Sequence, residues 1–287
     1  MKSKLLALAL GAAFSVGAFA TPTVDLTYYA GYNGVAKIKL TGYENFTGGL
    51  VVGSQNYGVL KVTSIQDNNG NLMWFDGKNG TEISGVFSSI ELTTATAPDL
   101  FGTVSLAAKG GLGSFYANAA GSLTAAGGFS QGALGFSDLG CAVNTLCYDG
   151  VTNAAVGGKL FDANWVGGVL DAFANTTTTV FGSLNLVTGK GSAGGYMSVV
   201  AGSGPEAIKW NTDGFTFVNN PKADLLAENR FCSVGAQGCN TPTDGGNFWA
   251  FAIEDPITGK PLPEPGSMAL VGLGLLGVAA IRRRRNV

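Results

Sequence analysis

Short alternating segments, separated by glycine turns, constrain the fold of this 287-residue chain more than any other feature. In residues 35–40, three apolar side chains alternate with two lysines. A period of two places successive side chains on opposite faces of a β-strand. Similar segments of β-forming residues cover 59–65, 71–75, 82–92, 180–187, 215–217 and 247–253. No segment sustains a helical period, so the pattern predicts a β protein.

Asn-Gly and Asp-Gly dipeptides lie between these segments. Both suit the positive φ angles of the type I′ turns that join antiparallel strands. They occur at residues 33–34, 69–70, 76–77, 79–80, 149–150, 213–214 and 244–245. With 45 glycines in the chain, these turns predict an all-β fold, namely an antiparallel, sandwich-like domain with glycine-rich loops.

The secondary structure of two segments is less clear from the sequence. Residues 107–140 are rich in Gly, Ala and Ser, which weaken strands, and we expect short strands joined by long loops there. Residues 223–228 follow Pro221 and are compatible with either one helical turn or an edge strand.

The first twenty residues have the organisation of a secretory signal peptide. Lys2 and Lys4 precede a short apolar stretch, and Ala18 and Ala20 form a small-x-small cleavage site. Cleavage there leaves Thr21 as the first residue of the mature protein. The alternative is a buried first helix of the folded domain.

The C-terminus contains a second apolar segment in a defined context. Pro263, Glu264 and Pro265 precede a 14-residue apolar run, Met268–Ile281, and four arginines, Arg282, Arg283, Arg284 and Arg285, follow it. The run predicts a short transmembrane helix, whose arginines stay on the cytoplasmic side. The body between the two ends is then exported through the inner membrane. A plain C-terminal membrane anchor is the alternative.

This three-part tail resembles the PEP-CTERM sorting signal of Gram-negative bacteria. The resemblance implies that an exosortase, a membrane cysteine transpeptidase, recognises and removes the tail, and that the inner membrane is a transient partner through the helix. It also implies an extracellular or cell-surface location and a role near exopolysaccharide, in a biofilm or floc matrix. The resulting domain organisation is a signal peptide over residues 1–20, a secreted β-rich domain over 21–260 and the sorting signal over 261–287.

The absence of histidine excludes several classes of enzyme. No Ser-His-Asp triad, Cys-His pair or HExxH zinc site can form within a chain that has no His. Between Thr21 and Pro265 there are 11 basic and 19 acidic residues, a net charge of about −8. This charge argues against nucleic acid as a partner.

The four cysteines form two pairs that are close in sequence. Five residues separate Cys141 from Cys147, and six separate Cys232 from Cys239. Outside the cytoplasm, we expect each pair to form a disulfide that closes a short loop. A zinc site is the alternative, but the usual CxxC spacing is absent.

The remaining polar and aromatic residues indicate no catalytic site, metal or cofactor. Asp67, Asn69 and Asn71 alternate as calcium ligands do, but the spacing fits a polar hairpin turn better. We therefore expect a non-enzymatic secreted or surface protein. The alternatives are a carbohydrate-binding module that uses exposed tryptophans, among Trp74, Trp165, Trp210 and Trp249, and a glycan hydrolase that uses a carboxylate pair.

Overall fold

Twelve β-strands make up most of the part of the chain that the computed structural model describes. The described residues are 24, 26, 34–125, 157–168, 177–217, 222–234, 236 and 250–262. The strands are β1 (Ala36–Phe46), β2 (Gln55–Asp67), β3 (Leu72–Phe75), β4 (Thr81–Ala95), β5 (Thr103–Ala119), β6 (Gly157–Trp165), β7 (Thr178–Asn185), β8 (Lys190–Val199), β9 (Phe215–Thr216), β10 (Lys222–Ala223), β11 (Leu225–Ser233) and β12 (Phe251–Gly259).

Ten of these strands form one antiparallel sheet that closes on itself. The order β1-β12-β11-β8-β6-β5-β4-β2-β3 would leave β1 at an edge, but β1 also pairs with β2. Strands β6 and β7 share the position between β5 and β8, because β6 pairs with one end of β5 and β7 with the other. Strands β9 and β10 form a separate two-stranded sheet.

The all-β, antiparallel prediction is confirmed. Ten of the strands belong to one large sheet, whose opposite walls face each other across a common core, as the two layers of a sandwich do. Helical structure in the described ranges is limited to single turns, α1 (Ser122–Ala125), α2 (Ala207–Trp210) and a 3₁₀ turn (Lys78–Gly80).

Of the Asn-Gly and Asp-Gly dipeptides within the described ranges, 79–80 adopts the full type I′ backbone, whereas 69–70, 76–77 and 213–214 have positive φ at one residue only. Asn79 and Gly80 both have positive φ, at 55° and 71°, as a type I′ turn demands. Gly70 and Gly77 also lie in the left-handed region. These residues place the reversals between β2, β3 and β4.

Strand β5 is longer than the sequence suggests. It spans 17 residues, although the segment from Ala107 was expected to form only short strands. The backbone of β5 pairs with β4 on one side and with β6 and β7 on the other. Because neighbours on both sides satisfy its hydrogen bonds, a glycine-rich strand remains extended here.

Residues 223–228 belong to strands, not to a helical turn. Most of this segment lies in β11, which pairs with β8 and β12 and is therefore not an edge strand. The register places Ala227 toward the core and Glu228 on the outer face. Pairing on both sides decides the conformation, and local sequence does not reveal it.

The core fills the interior of the closed sheet. The rings of Phe115 and Phe161 stack with centroids 4.8 Å apart, and Trp210 packs beside Phe161. A second, smaller group of buried side chains lies on the outer face of the sheet around Tyr43, Tyr57 and Leu123. Both faces of part of the sheet are therefore covered.

Candidate functional site

The segment that leads into the C-terminal tail is held against the folded body. Strand β12 ends at Gly259, and the backbone N–H of Leu262 donates to the carbonyl oxygen of Lys209 at 2.7 Å. Lys260 Nζ donates to the carbonyl oxygen of Gly214 and lies 5.4 Å from the centroid of the Phe215 ring. These contacts therefore hold the chain against the body as far as Leu262, the residue before Pro263.

The start of the described body contacts Glu206, the residue immediately before the helical turn α2, to which Lys209 belongs. The backbone N–H of Val24 donates to Glu206 Oε1 at 3.3 Å, and Val24 is buried in the core. Glu206 is itself almost fully buried and forms an ion pair with Lys209 at 3.1 Å. The turn α2 and the preceding Glu206 thus bind Val24 and Leu262, which lie near the two ends of the described body.

Most sequence-predicted sites lie outside the described residues. These are Ala18, Ala20 and Thr21 at the signal-peptide cleavage site, the motif Pro263–Pro265, the run Met268–Ile281, the cluster Arg282–Arg285, and Cys141, Cys147 and Cys239. Within the described ranges, no helix has the length and apolar character needed to cross a membrane.

Cys232 is the one predicted disulfide residue that the described ranges include. It lies near the end of β11, opposite Lys190 on β8 and Ala252 on β12. The pairing with Cys239 remains a prediction.

We expect non-reducing peptide mapping of the mature protein to link Cys141 with Cys147 and Cys232 with Cys239. The loops are short, so each pair can close without moving the sheet. Peptides mapped after reduction serve as the control. A linkage between the two pairs, such as Cys147 with Cys232, would contradict the prediction, as would free thiols at all four positions.

The tryptophans in the described ranges are core residues. Trp74 and Trp210 are fully buried, and Trp165 packs against the core from a partly buried position. Trp249 lies outside the described residues. The structure therefore gives no exposed tryptophan platform for sugar in the part of the chain it describes.

The polar triplet at Asp67 forms a tight turn. The carboxylate of Asp67 accepts hydrogen bonds from the backbone N–H groups of Asn69, at 2.9 Å, and Asn71, at 2.7 Å. The side-chain amide of Asn71 donates to the other oxygen at 3.1 Å. These bonds stabilise the turn that joins β2 to β3. They occupy both carboxylate oxygens of Asp67, which a calcium ion would need as ligands.

One lysine holds two of the described carboxylates. Lys61 on β2 bridges Asp76, in the turn after β3, at 2.8 Å and Glu82, on β4, at 3.0 Å. Burial lowers the pKa of Lys61, but the hydrogen bonds and charges of Asp76 and Glu82 outweigh burial and raise it. This lysine stays charged and occupies the two carboxylates, which leaves them poorly suited to act as an acid and base pair.

A shallow groove runs across the outer face of β7, β8, β11 and β12. Its volume is about 550 Å³. One row across the strands consists of Phe181, Gly194 and Glu228, and the next consists of Ser183, Ser192 and Arg230. Gly194 leaves the floor of the groove low, while the exposed Phe181 ring and the two charged side chains border it.

Sequence reasoning missed this groove. The residues lie on four strands, of which β7 and β8 are consecutive while β11 and β12 lie further along the chain, and single exposed residues in strands carry no distinguishing pattern. The run of small residues at 191–195 in β8 is the one local signal. Only the strand pairing places Phe181, Ser192 and Arg230 on one surface.

Comparison with known proteins identifies the tail. Residues 261–285 match the PEP-CTERM protein-sorting motif, which includes Pro263–Pro265 and the four arginines. No curated protein and no solved structure matches the chain. The motif implies processing by an exosortase and export to the cell surface or the medium. The chain thus carries a PEP-CTERM protein-sorting motif at the end of a large, closed antiparallel β-sheet domain.

Proposed function

We propose that this chain is a non-enzymatic protein of the extracellular polysaccharide matrix, delivered there by exosortase processing. The observation that carries the proposal is the attachment of the sorting motif, residues 261–285, directly to a folded β domain whose last strand ends at Gly259. With no long linker between them, the cargo of the sorting signal is the β domain itself.

We assign polysaccharide contact to the groove on β7, β8, β11 and β12. The Phe181 ring is 38% exposed and offers an apolar face on which a sugar ring can pack. Glu228, Arg230 and Ser192 supply hydrogen-bond acceptors and donors for hydroxyl groups beside it. The body as a whole is acidic and repels a polyanionic polysaccharide. Within the groove, the charge of Arg230 offsets that of Glu228, which limits this repulsion.

Replacing Phe181 with alanine should weaken co-sedimentation of the mature protein with matrix polysaccharide by about tenfold, as loss of a central aromatic contact does. Phe75 provides the matched control, because it is also an exposed phenylalanine, 49% exposed, but lies on β3. The Phe75→Ala variant should bind as the unmodified protein does.

The same assay separates this function from the two alternatives. Release of reducing sugar from the polysaccharide would contradict a non-enzymatic role and favour the hydrolase. Equal losses in the Phe181 and Phe75 variants would contradict the groove as the contact surface. Failure of the unmodified protein to sediment with the polysaccharide would contradict matrix binding altogether.

A further inference from the structure

Inside the closed sheet lies an apolar cavity, on the opposite face from the outer groove, and Gly182, Ala193 and Asn229 of the intervening sheet line both. Its volume is about 90 Å³, and its walls are mainly aliphatic and aromatic side chains from opposite sides of the sheet, such as Leu40, Phe87 and Met197. A single water requires only about 10–15 Å³. The space therefore exceeds an ordinary packing gap and suits a molecule of several heavy atoms.

Glu44 introduces a carboxyl group into this apolar space. It is buried on β1 and is the only charged side chain among the described residues that line the cavity. Asn56 Nδ2 donates to Glu44 Oε2 at 3.1 Å. Burial raises the pKa of Glu44 to about 7, although the bond from Asn56 opposes the shift. Near neutral pH this carboxyl can both accept and donate a hydrogen bond.

Trp165, on β6, provides another polar group in the lining of the cavity. Its indole Nε1 is buried and has no hydrogen-bond partner within the described residues. Two glycines leave room for the ring, because a Cβ at Gly111 would collide with Cδ1 and a Cβ at Gly195 would lie 2.8 Å from Cζ3. A buried N–H without an acceptor is costly, so a bound molecule that supplies an acceptor here would be stabilised.

We propose that this cavity binds a small, mostly apolar molecule that carries a hydroxyl group. A hydroxyl both donates and accepts, so it is chemically compatible with both polar groups of the lining, the Glu44 carboxyl and the Trp165 N–H. An anionic ligand would place a second negative charge in the apolar space beside Glu44, which is unfavourable. Partly exposed Phe46 and Leu50 belong to the lining and mark a side from which a ligand can enter.

The test uses three probes of similar length, 1-butanol, n-pentane and butyrate, in NMR titrations of the mature protein as the cell releases it. We expect saturable binding of 1-butanol and no binding of butyrate. Glu44→Gln and Trp165→Phe should each raise the dissociation constant of 1-butanol by about tenfold, as loss of one strong hydrogen bond does. The dissociation constant of n-pentane should change less than about threefold, because it reports apolar contact alone.

Two further variants control for folding and location. Glu254→Gln removes an exposed carboxylate on β12 and should leave 1-butanol binding unchanged. Ala227→Leu fills the cavity from β11 and should abolish binding of both 1-butanol and n-pentane. If circular dichroism shows that Ala227→Leu does not fold, the smaller change Ala108→Val serves the same purpose and should weaken both ligands.

Three results would overturn the proposal. The first is no saturable binding of 1-butanol to the folded protein. The second is binding that persists in the cavity-filling variant. The third is an equal change for 1-butanol and n-pentane in Glu44→Gln and Trp165→Phe, which would exclude hydroxyl recognition by these groups.

Discussion

Replacing Pro263, Glu264 and Pro265 by alanine should leave the C-terminal tail on the protein and retain the body at the inner membrane. The motif match over residues 261–285 implies recognition by an exosortase, and these three residues are the part of the tail that is not merely apolar or basic. The apolar run and Arg282–Arg285 remain in the variant, so membrane retention persists once recognition is lost. Fractionation and terminal peptide mass spectrometry measure the outcome.

Pro98→Ala provides the matched control, because Pro98 is an exposed proline in the connection between β4 and β5. That variant should be exported and trimmed normally, with Thr21 at its N-terminus and without Met268–Val287. Recovery of peptides containing Arg282–Arg285 from the unmodified extracellular protein would contradict tail removal. Normal release of the triple-alanine variant would contradict recognition through the motif.

Asp224→Asn should lower the free energy of unfolding by about 3 kcal/mol, the scale of breaking a buried, charge-assisted hydrogen-bond network. Asp224 is fully buried between β10 and β11. One carboxylate oxygen accepts from the backbone N–H groups of Thr212 and Asp213, and the other accepts from the N–H of Val199 at 2.7 Å. In asparagine, an NH₂ group replaces one oxygen and faces these donors.

Asp99→Asn tests whether burial of the carboxylate causes the expected loss of stability in Asp224→Asn. Asp99 also accepts two backbone N–H bonds through one oxygen, from Phe101 and Thr103, both at 2.8 Å, but it is exposed. Asparagine keeps the accepting oxygen there, so the expected change is within about 0.5 kcal/mol. Urea denaturation of both variants gives the comparison. Similar losses at the two positions would contradict the assignment of a special role to Asp224.

The sites differ in how far apart in the chain their residues lie, and this separation decides whether the sequence reveals them. The sorting signal is contiguous, so its residues, from Pro263 to Arg285, are recognisable from spacing and composition alone. The groove and the cavity combine strands that are far apart in the chain, such as β1 and β6 around Glu44 and Trp165. The residues around a single Glu in a strand do not show whether its side chain is buried, since the pairing of the strand decides which face points inside.

Local sequence by itself determined the β class, the left-handed glycines of the turns and the C-terminal sorting signal, because a period of two, a positive φ and an apolar run are properties of neighbouring residues. The tertiary structure alone decided that β1 pairs with both β2 and β12 and so closes the sheet. It also decided that β5 stays extended through its glycines and that α2 and the preceding Glu206 bind Val24 and Leu262, near the two ends of the described body. These features depend on hydrogen bonds and burial between distant segments, whose free energy exists only after the chain has folded.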